Sequence, residues 1–208
     1  MPSATARRSP RAVRAPAAAP DKRAAILRAA TKIFARHGFH QAQVADVARE
    51  AGVAAGTVYL YFRGKDDLLV SLFERTMREA LDEAGAALAP GAGPADRLRT
   101  IARLHLERLG RDRDLAVVFQ VELRQSVKFM ERFSATYMQS YLARIRDVIA
   151  DGQAAGVFRT GVSPTMAAKI FFGALDEMAT NWVLSRRRYA LAAEADAIVD
   201  LFINGVRA

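Results

Sequence analysis

The densest set of side chains with a chemical use lies between Gln43 and Lys65, in the stretch QVADVAREAGVAAGTVYLYFRGK. Two short apolar stripes flank Gly52: Val44, Val47, Ala48 and Ala51 before it, Val53, Val58 and Phe62 after it. A short helix, a tight turn that glycine takes without strain, and a second short helix make the helix-turn-helix pattern. Ala48 is small where two such helices must touch. Val58 and Phe62 are four apart and share one helix face, which leaves Ala55, Gly56, Thr57, Tyr59, Leu60 and Tyr61 looking outward. Against water that is a poor surface; against DNA it has a use. Small residues let a helix enter the major groove, Thr57 reaches a base edge or a phosphate, and the phenols of Tyr59 and Tyr61 bond phosphates. Lys65 opens the next helix, where its charge and the N–H groups of a helix start both favour a phosphate. Gln43 does the same at the start of the second helix. The competing reading of these residues is a plain helical core with buried tyrosines.

A second set of polar groups sits in apolar surroundings. The stretch 113–126 is apolar nearly all round (Leu115, Val117, Val118, Phe119, Val121, Leu123) and so belongs inside the protein, yet it carries Gln120, Glu122, Arg124 and Gln125. The stretch 164–185 repeats the pattern, with Asp176, Glu177 and Asn181 among Phe171, Phe172, Leu175, Met178 and Trp182. Buried polar groups have to be satisfied, so these either bond one another or meet the polar part of a ligand. Phe129, Met130, Phe133 and Met138 add adaptable apolar surface that either lines a cavity or fills a core. No phosphate-binding loop, metal-ligand spacing or nucleophile elbow is present, so catalysis is not expected.

Helices must position all of these groups. Asp21 caps a first helix with its stripe at Ile26, Leu27, Ala30, Ile33 and Phe34, ending at Gly38. The spacing then predicts short helices before Gly52 and over 55–61, a long one over 65–88, and others over 95–109, 113–126, 128–151, 164–185 and 190–206. The PGAGP stretch at 90–94 punctuates them. With no β-period, the fold class expected is all-α. The expected domains are a basic disordered arm over 1–20, a DNA-binding domain over 21–67 and a larger helical domain over 68–208. The arm has four Arg, four Pro and no acid. The chain carries 31 Lys+Arg against 22 Asp+Glu, a net charge of +9, and residues 1–70 hold 12 of the basic and 5 of the acidic residues. The polyanion-facing part is therefore the N-terminal third. No charge-free run is long enough for a membrane span, and the absence of cysteine fits a reducing, cytoplasmic setting without thiolate chemistry or metal sites built on it. The three histidines are scattered, with His105 expected partly buried on a helix.

Residues 24–70 resemble the DNA-binding domain of the TetR family of bacterial repressors, whose G-x-x-x-G-T-x-Y-x-Y-F stretch is present from Gly52 to Phe62. The resemblance implies a homodimer on double-stranded operator DNA with an inverted repeat. It places Ala55, Gly56, Thr57, Leu60 and Tyr61 near bases, and Gln43, Tyr59 and Lys65 on the backbone. Ala55 and Gly56 are smaller than many relatives' residues there, so specificity leans on Thr57, Leu60 and DNA shape. Dimerisation is expected through the last two helices, including Ile198 and Phe202. A narrower resemblance, to the TetR-type repressors of fatty-acid degradation genes, rests on DLAVVFQVELRQS, on FFGALDEMATNWVLS and on the segment from Gly38 to Phe73. It implies long-chain acyl-CoA as the effector, with no cofactor and no metal. Arg97, Arg99, Arg103, Arg108, Arg111 and Arg113 then either meet CoA phosphates or, interleaved with acids, form a solvated face. The ligand contacts so expected are Arg103, Phe119, Gln120, Arg124, Met130, Phe133, Phe171, Asp176 and Trp182. Two other readings stay open: a sensor of another hydrophobic molecule, and a DNA-binding protein without a ligand.

Overall fold

A computed structural model of the chain describes residues 21–88, 91–125, 134–187 and 189–206. The described residues are overwhelmingly helical. Helix α1 spans Lys22–His37; the Asp21 carboxylate accepts the Ala24 N–H at 3.2 Å, and Gly38, at φ 75° and ψ 151°, turns the chain away in a conformation only glycine takes readily. Helices α2 (Val44–Glu50) and α3 (Ala55–Tyr59) follow, and α4 (Lys65–Ala87) leaves this small domain and runs into the larger one. Their core is Phe34, Phe39, Val47, Ala48, Val58, Phe62, Leu68 and Leu69, all buried.

The larger domain begins with α5 (Pro94–Arg111), whose proline stands where a helix start has no N–H to lose. Helix α6 (Arg113–Val117) does not continue as expected to 126: it widens into a π-helical turn over Val118–Glu122 and tightens into a 3₁₀ turn over Leu123–Gln125. After a second π-turn at Ser134–Met138 come α7 (Gln139–Ala154) and α8 (Pro164–Leu184), then a 3₁₀ turn at Leu191–Glu194 and α9 (Ala195–Val206). Helices α7 and α8 pack on each other and on α5, α9 packs on α5 and α8, and α1 packs against α6 and its π-turn. The two domains therefore meet twice, through the length of α4 and where α1 lies on α6. No described helix is long and apolar enough to cross a membrane.

Candidate functional site

The turn at Gly52 has φ 67°, a left-handed conformation that a side chain would strain, and the Val53 N–H donates to Ala48 O at 3.0 Å to close it. Helix α3 is thereby set across α2. Val58 and Phe62 face the core, while Gln43, Ala55, Gly56, Tyr59, Leu60 and Tyr61 are exposed and Thr57 is half-buried. Leu60 is 81% exposed and Tyr59 59%. A Cβ built on Gly56 would meet nothing within 4 Å, so the crest of this face is open to an incoming surface.

Lys65 has partners that the sequence did not show. Its Nζ donates to the carbonyls of Phe39 at 3.1 Å, His40 at 2.7 Å and Ala42 at 3.5 Å, and it lies 5.0 Å from the Phe39 ring centre. Through those carbonyls the side chain holds the loop before α2 in place. The same loop is gripped from the other domain. Buried Glu122, in the π-turn, accepts the Phe39 N–H at 2.7 Å.

On the opposite side of that π-turn lies a pocket of about 240 Å³, larger than the ~150 Å³ cavity that holds a benzene in an engineered protein core. It is walled by Met77 of α4, by Ile101, Leu104, His105, Arg108 and Leu109 of α5, by Phe119, Gln120, Leu123 and Arg124, and by Met138, Tyr141, Phe172 and Asp176. Its surface is mostly apolar, with one polar cluster beside the π-turn. There Gln120 Oε1 accepts from Arg124 and from the Thr180 hydroxyl, each at 2.9 Å, and Arg124 pairs with Asp176. Of the polar groups from 113–126 and 164–185, Gln120, Arg124 and Asp176 thus bond one another in the wall of the cavity, whereas Asn181 donates to Glu177 outside its lining. A second polar pair lies within it: His105 Nδ1 and the Tyr141 hydroxyl are 3.1 Å apart. Burial pulls the His105 imidazole down to about 4, partly countered by the Asp176 carboxylate, and pushes the Tyr141 phenol up.

Of the ligand contacts expected, Phe119, Gln120, Arg124 and Asp176 line the pocket. Met130 and Phe133 lie outside the described residues. Arg103, Phe171 and Trp182 are corrected. Residues 101, 104, 105, 108 and 109 form the pocket stripe of α5, and Arg103, off that stripe, forks onto Asp196 of α9 at 2.8 and 2.9 Å. Phe171 is fully buried against Phe202, ring centres 4.9 Å apart, one residue and ~100° of helix away from pocket-facing Phe172. The Trp182 indole N–H donates to Tyr189 O at 2.9 Å, and Arg113 lies over its ring while bonding the last carbonyls of α8. The other upstream arginines are engaged too: Arg97 with Asp151, Arg99 with Asp200, Arg108 with Glu79 and Glu83, Arg111 with Glu107. Arg97, Arg99 and Arg108 thereby tie α5 to α7, α9 and α4, and Arg111 pairs within α5, so this is not an idle cationic patch. Sequence reasoning left His105, Tyr141 and Phe172 out of the expected ligand contacts and offered Arg108 only among six arginines for CoA phosphates; the α5 spacing from Ile101 to Leu109 was the available signal for His105 and Arg108.

Residues 26–72 match the family model for bacterial regulatory proteins of the tetR family, and residues 73–205 match that for the C-terminal region of YsiA-like proteins. The chain is 33% identical over 181 residues to the fatty acid metabolism regulator protein of Bacillus subtilis strain 168, covering 87% of this chain and 93% of that one. Among solved structures it superposes on the fatty acid degradation regulator FadR of Bacillus halodurans with a TM-score of 0.85 at 34% identity, over 91% of this chain and 98% of that one. The transcriptional regulator FadR of Bacillus subtilis, solved in complex with stearoyl-CoA, gives 0.83 at 31%, over 88% and 99%.

Proposed function

The chain belongs to the TetR family of bacterial regulatory proteins, and from that premise we propose that it is a cytoplasmic, homodimeric repressor of fatty-acid degradation genes that leaves an inverted-repeat operator when a long-chain acyl-CoA enters its pocket. As a member of that family it is a DNA-binding transcriptional regulator and not an enzyme. The observation that carries the ligand reading is the meeting of Arg124 and Asp176 in the wall of a mostly apolar cavity. They come from the two segments that resemble fatty-acid regulators. The likeness to a regulator solved with stearoyl-CoA supports the same reading.

The coupling has a physical route. A full small-molecule site has about 300–1,000 Å³, so a long chain has to enlarge this cavity of about 240 Å³. Burial at ~0.8 kcal/mol per methylene supplies ample gross energy for that. Affinity alone does not induce; carrying a 1:99 equilibrium to 99:1 takes ~5.5 kcal/mol of preference for the DNA-incompetent form. A chain wedged between α4, α5 and the π-turn presses on the segment whose far side bears Glu122, and Glu122 holds the loop that leads into α2. Displacing it re-aims α3 relative to its twin.

An apolar face supports the contact with the twin. Met166 and Ile170 on α8 are 52% and 56% exposed, and Leu201 on the packed neighbour α9 is 78% exposed. Such a patch is costly for a lone monomer and suits a two-fold contact between copies. Phe202, expected on that face, is half-buried beside Phe171. A thermal-shift panel tests the ligand class: melting should rise with hexadecanoyl- or octadecanoyl-CoA and not with CoA or the free acid. A rise with unrelated apolar compounds only would assign the pocket to another ligand.

A further inference from the structure

The pocket's interior pair carries more hydrogen-bonding capacity than the protein uses. His105 Nδ1 meets the Tyr141 hydroxyl at 3.1 Å, while His105 Nε2 is buried with no hydrogen-bond partner among the described residues. Burial keeps both groups neutral at ordinary pH. A neutral imidazole and a phenol then own two N–H or O–H protons between them, and one contact consumes only one. If the phenol donates to Nδ1, the proton on Nε2 is left over. If Nδ1 donates to the phenol, the hydroxyl proton is left over. One donor remains in either tautomer; the Phe172 ring packs edge-on against the imidazole, and Ile101, Leu104 and Leu109 are among the apolar side chains that line most of the wall. Of the nearby charges, Arg108 is ion-paired with Glu79 and Glu83, although its buried Nη2 makes no hydrogen bond among the described residues, and Asp176 pairs with Arg124. An unsatisfied buried donor is expensive, and its retention in an apolar cavity implies that something satisfies it there.

We propose that the His105–Tyr141 pair seats one neutral oxygen of the ligand's acyl group, so that the pocket reads acyl oxidation state as well as chain length. The inference rests on the acyl-CoA reading above. A carboxylate is a poor occupant, because the pair offers one neutral donor and the neighbouring cation is already neutralised. The oxygen is either the thioester carbonyl or a hydroxyl farther along the chain. Both are neutral acceptors of one hydrogen bond, and a fully reduced chain offers neither.

Three ligands of equal length separate the cases: hexadecanoyl-CoA, 3-hydroxyhexadecanoyl-CoA, and S-hexadecyl-CoA, a thioether without the carbonyl. Binding of each to the full-length protein is measured by calorimetry, in the wild type and in the double variant His105→Leu/Tyr141→Phe. The double variant replaces both partners with apolar groups of similar shape and leaves neither orphaned, so it should fold. A thioether about tenfold weaker than the thioester in the wild type, with the gap closed in the double variant, places the carbonyl at the pair. A hydroxyacyl ligand about tenfold tighter than the saturated thioester, with that gain lost in the variant, places the chain hydroxyl there. Equal binding of all three to the wild type, or a gap that survives in the variant, overturns the inference and leaves the acyl-CoA reading standing. Failure of all three to bind the wild type overturns both.

Discussion

Replacing Glu122 with alanine removes the carboxylate that accepts the Phe39 N–H at 2.7 Å, a buried contact between residues 83 positions apart. A hydrogen bond to a charged acceptor contributes about 1.5–3 kcal/mol, and the lost side-chain methylenes add ~0.8 kcal/mol each where they pack. Against this stands relief from holding a buried carboxylate that has no ion pair among the described residues. A net loss of about 2 kcal/mol results, and at roughly 2–4 °C per kcal/mol for a chain of this size the melting temperature should fall by about 4–8 °C. Glu122→Gln keeps an acceptor of the same reach without the charge and should lose about half as much. Scanning calorimetry at one fixed protein concentration reads both variants, since dimerisation makes melting concentration-dependent. The contact joins the two domains, so the alanine variant should also split a single transition into two. Induction is the second readout: operator affinity should respond more weakly to bound ligand than in the wild type. An alanine variant that melts within 1 °C of the wild type and induces normally would refute the linkage.

Stability should also fall in mild acid because of His105. Its folded value of about 4 lies below the ordinary ~6.5, so the contribution is complete above pH ~6.5 and is lost as pH falls towards 4, at ~1.4 kcal/mol per pH unit at most. Arg108 and Asp176 are the charges that bear on it, and subtracting the His105→Leu/Tyr141→Phe profile from that of the wild type isolates the slope; parallel profiles would show that the imidazole is not held neutral. On the DNA face, Tyr59→Phe should weaken binding uniformly across operator sequences, whereas Thr57→Ala should also relax base preference, as read by anisotropy over a set of single-base operator variants. Leu201→Asp should yield a monomer by light scattering at micromolar concentration and weaken operator binding at least tenfold; a variant that stays dimeric would move the interface elsewhere.

The small domain was legible because its rules are local. Gly52 marks its own turn, and Val58 and Phe62 declare the buried side of α3 by being four apart, so the outward residues follow by elimination. The loop-holding contacts of Lys65 were not legible, because its partners, the carbonyls of Phe39, His40 and Ala42, reach it only once α4 has folded back beside α1. The pocket was legible in kind but not in face. Helix α8 is apolar on several sides, so nothing local distinguishes Phe172, which lines the cavity, from Phe171, which packs on α9. Arg103 and Arg108 look alike in the sequence; only counting from Ile101 puts Arg108 on the pocket stripe. Glu122 was grouped with Gln120 and Arg124, yet two residues along a helix is ~200° of rotation. That rotation points Glu122 at the DNA-binding domain while its neighbours face the ligand space, an opposition that makes this turn the natural place for coupling.

The most direct test of the account is operator binding followed by fluorescence anisotropy, with an inverted-repeat operator selected against the full-length protein and octadecanoyl-CoA titrated below its micellar range. The account predicts release at stoichiometric ligand, no release by CoA or octadecanoic acid alone, and blunted release in Arg124→Ala with operator affinity of the ligand-free variant kept. Retention of the operator throughout the titration, with every acyl chain from twelve to twenty carbons, would contradict it.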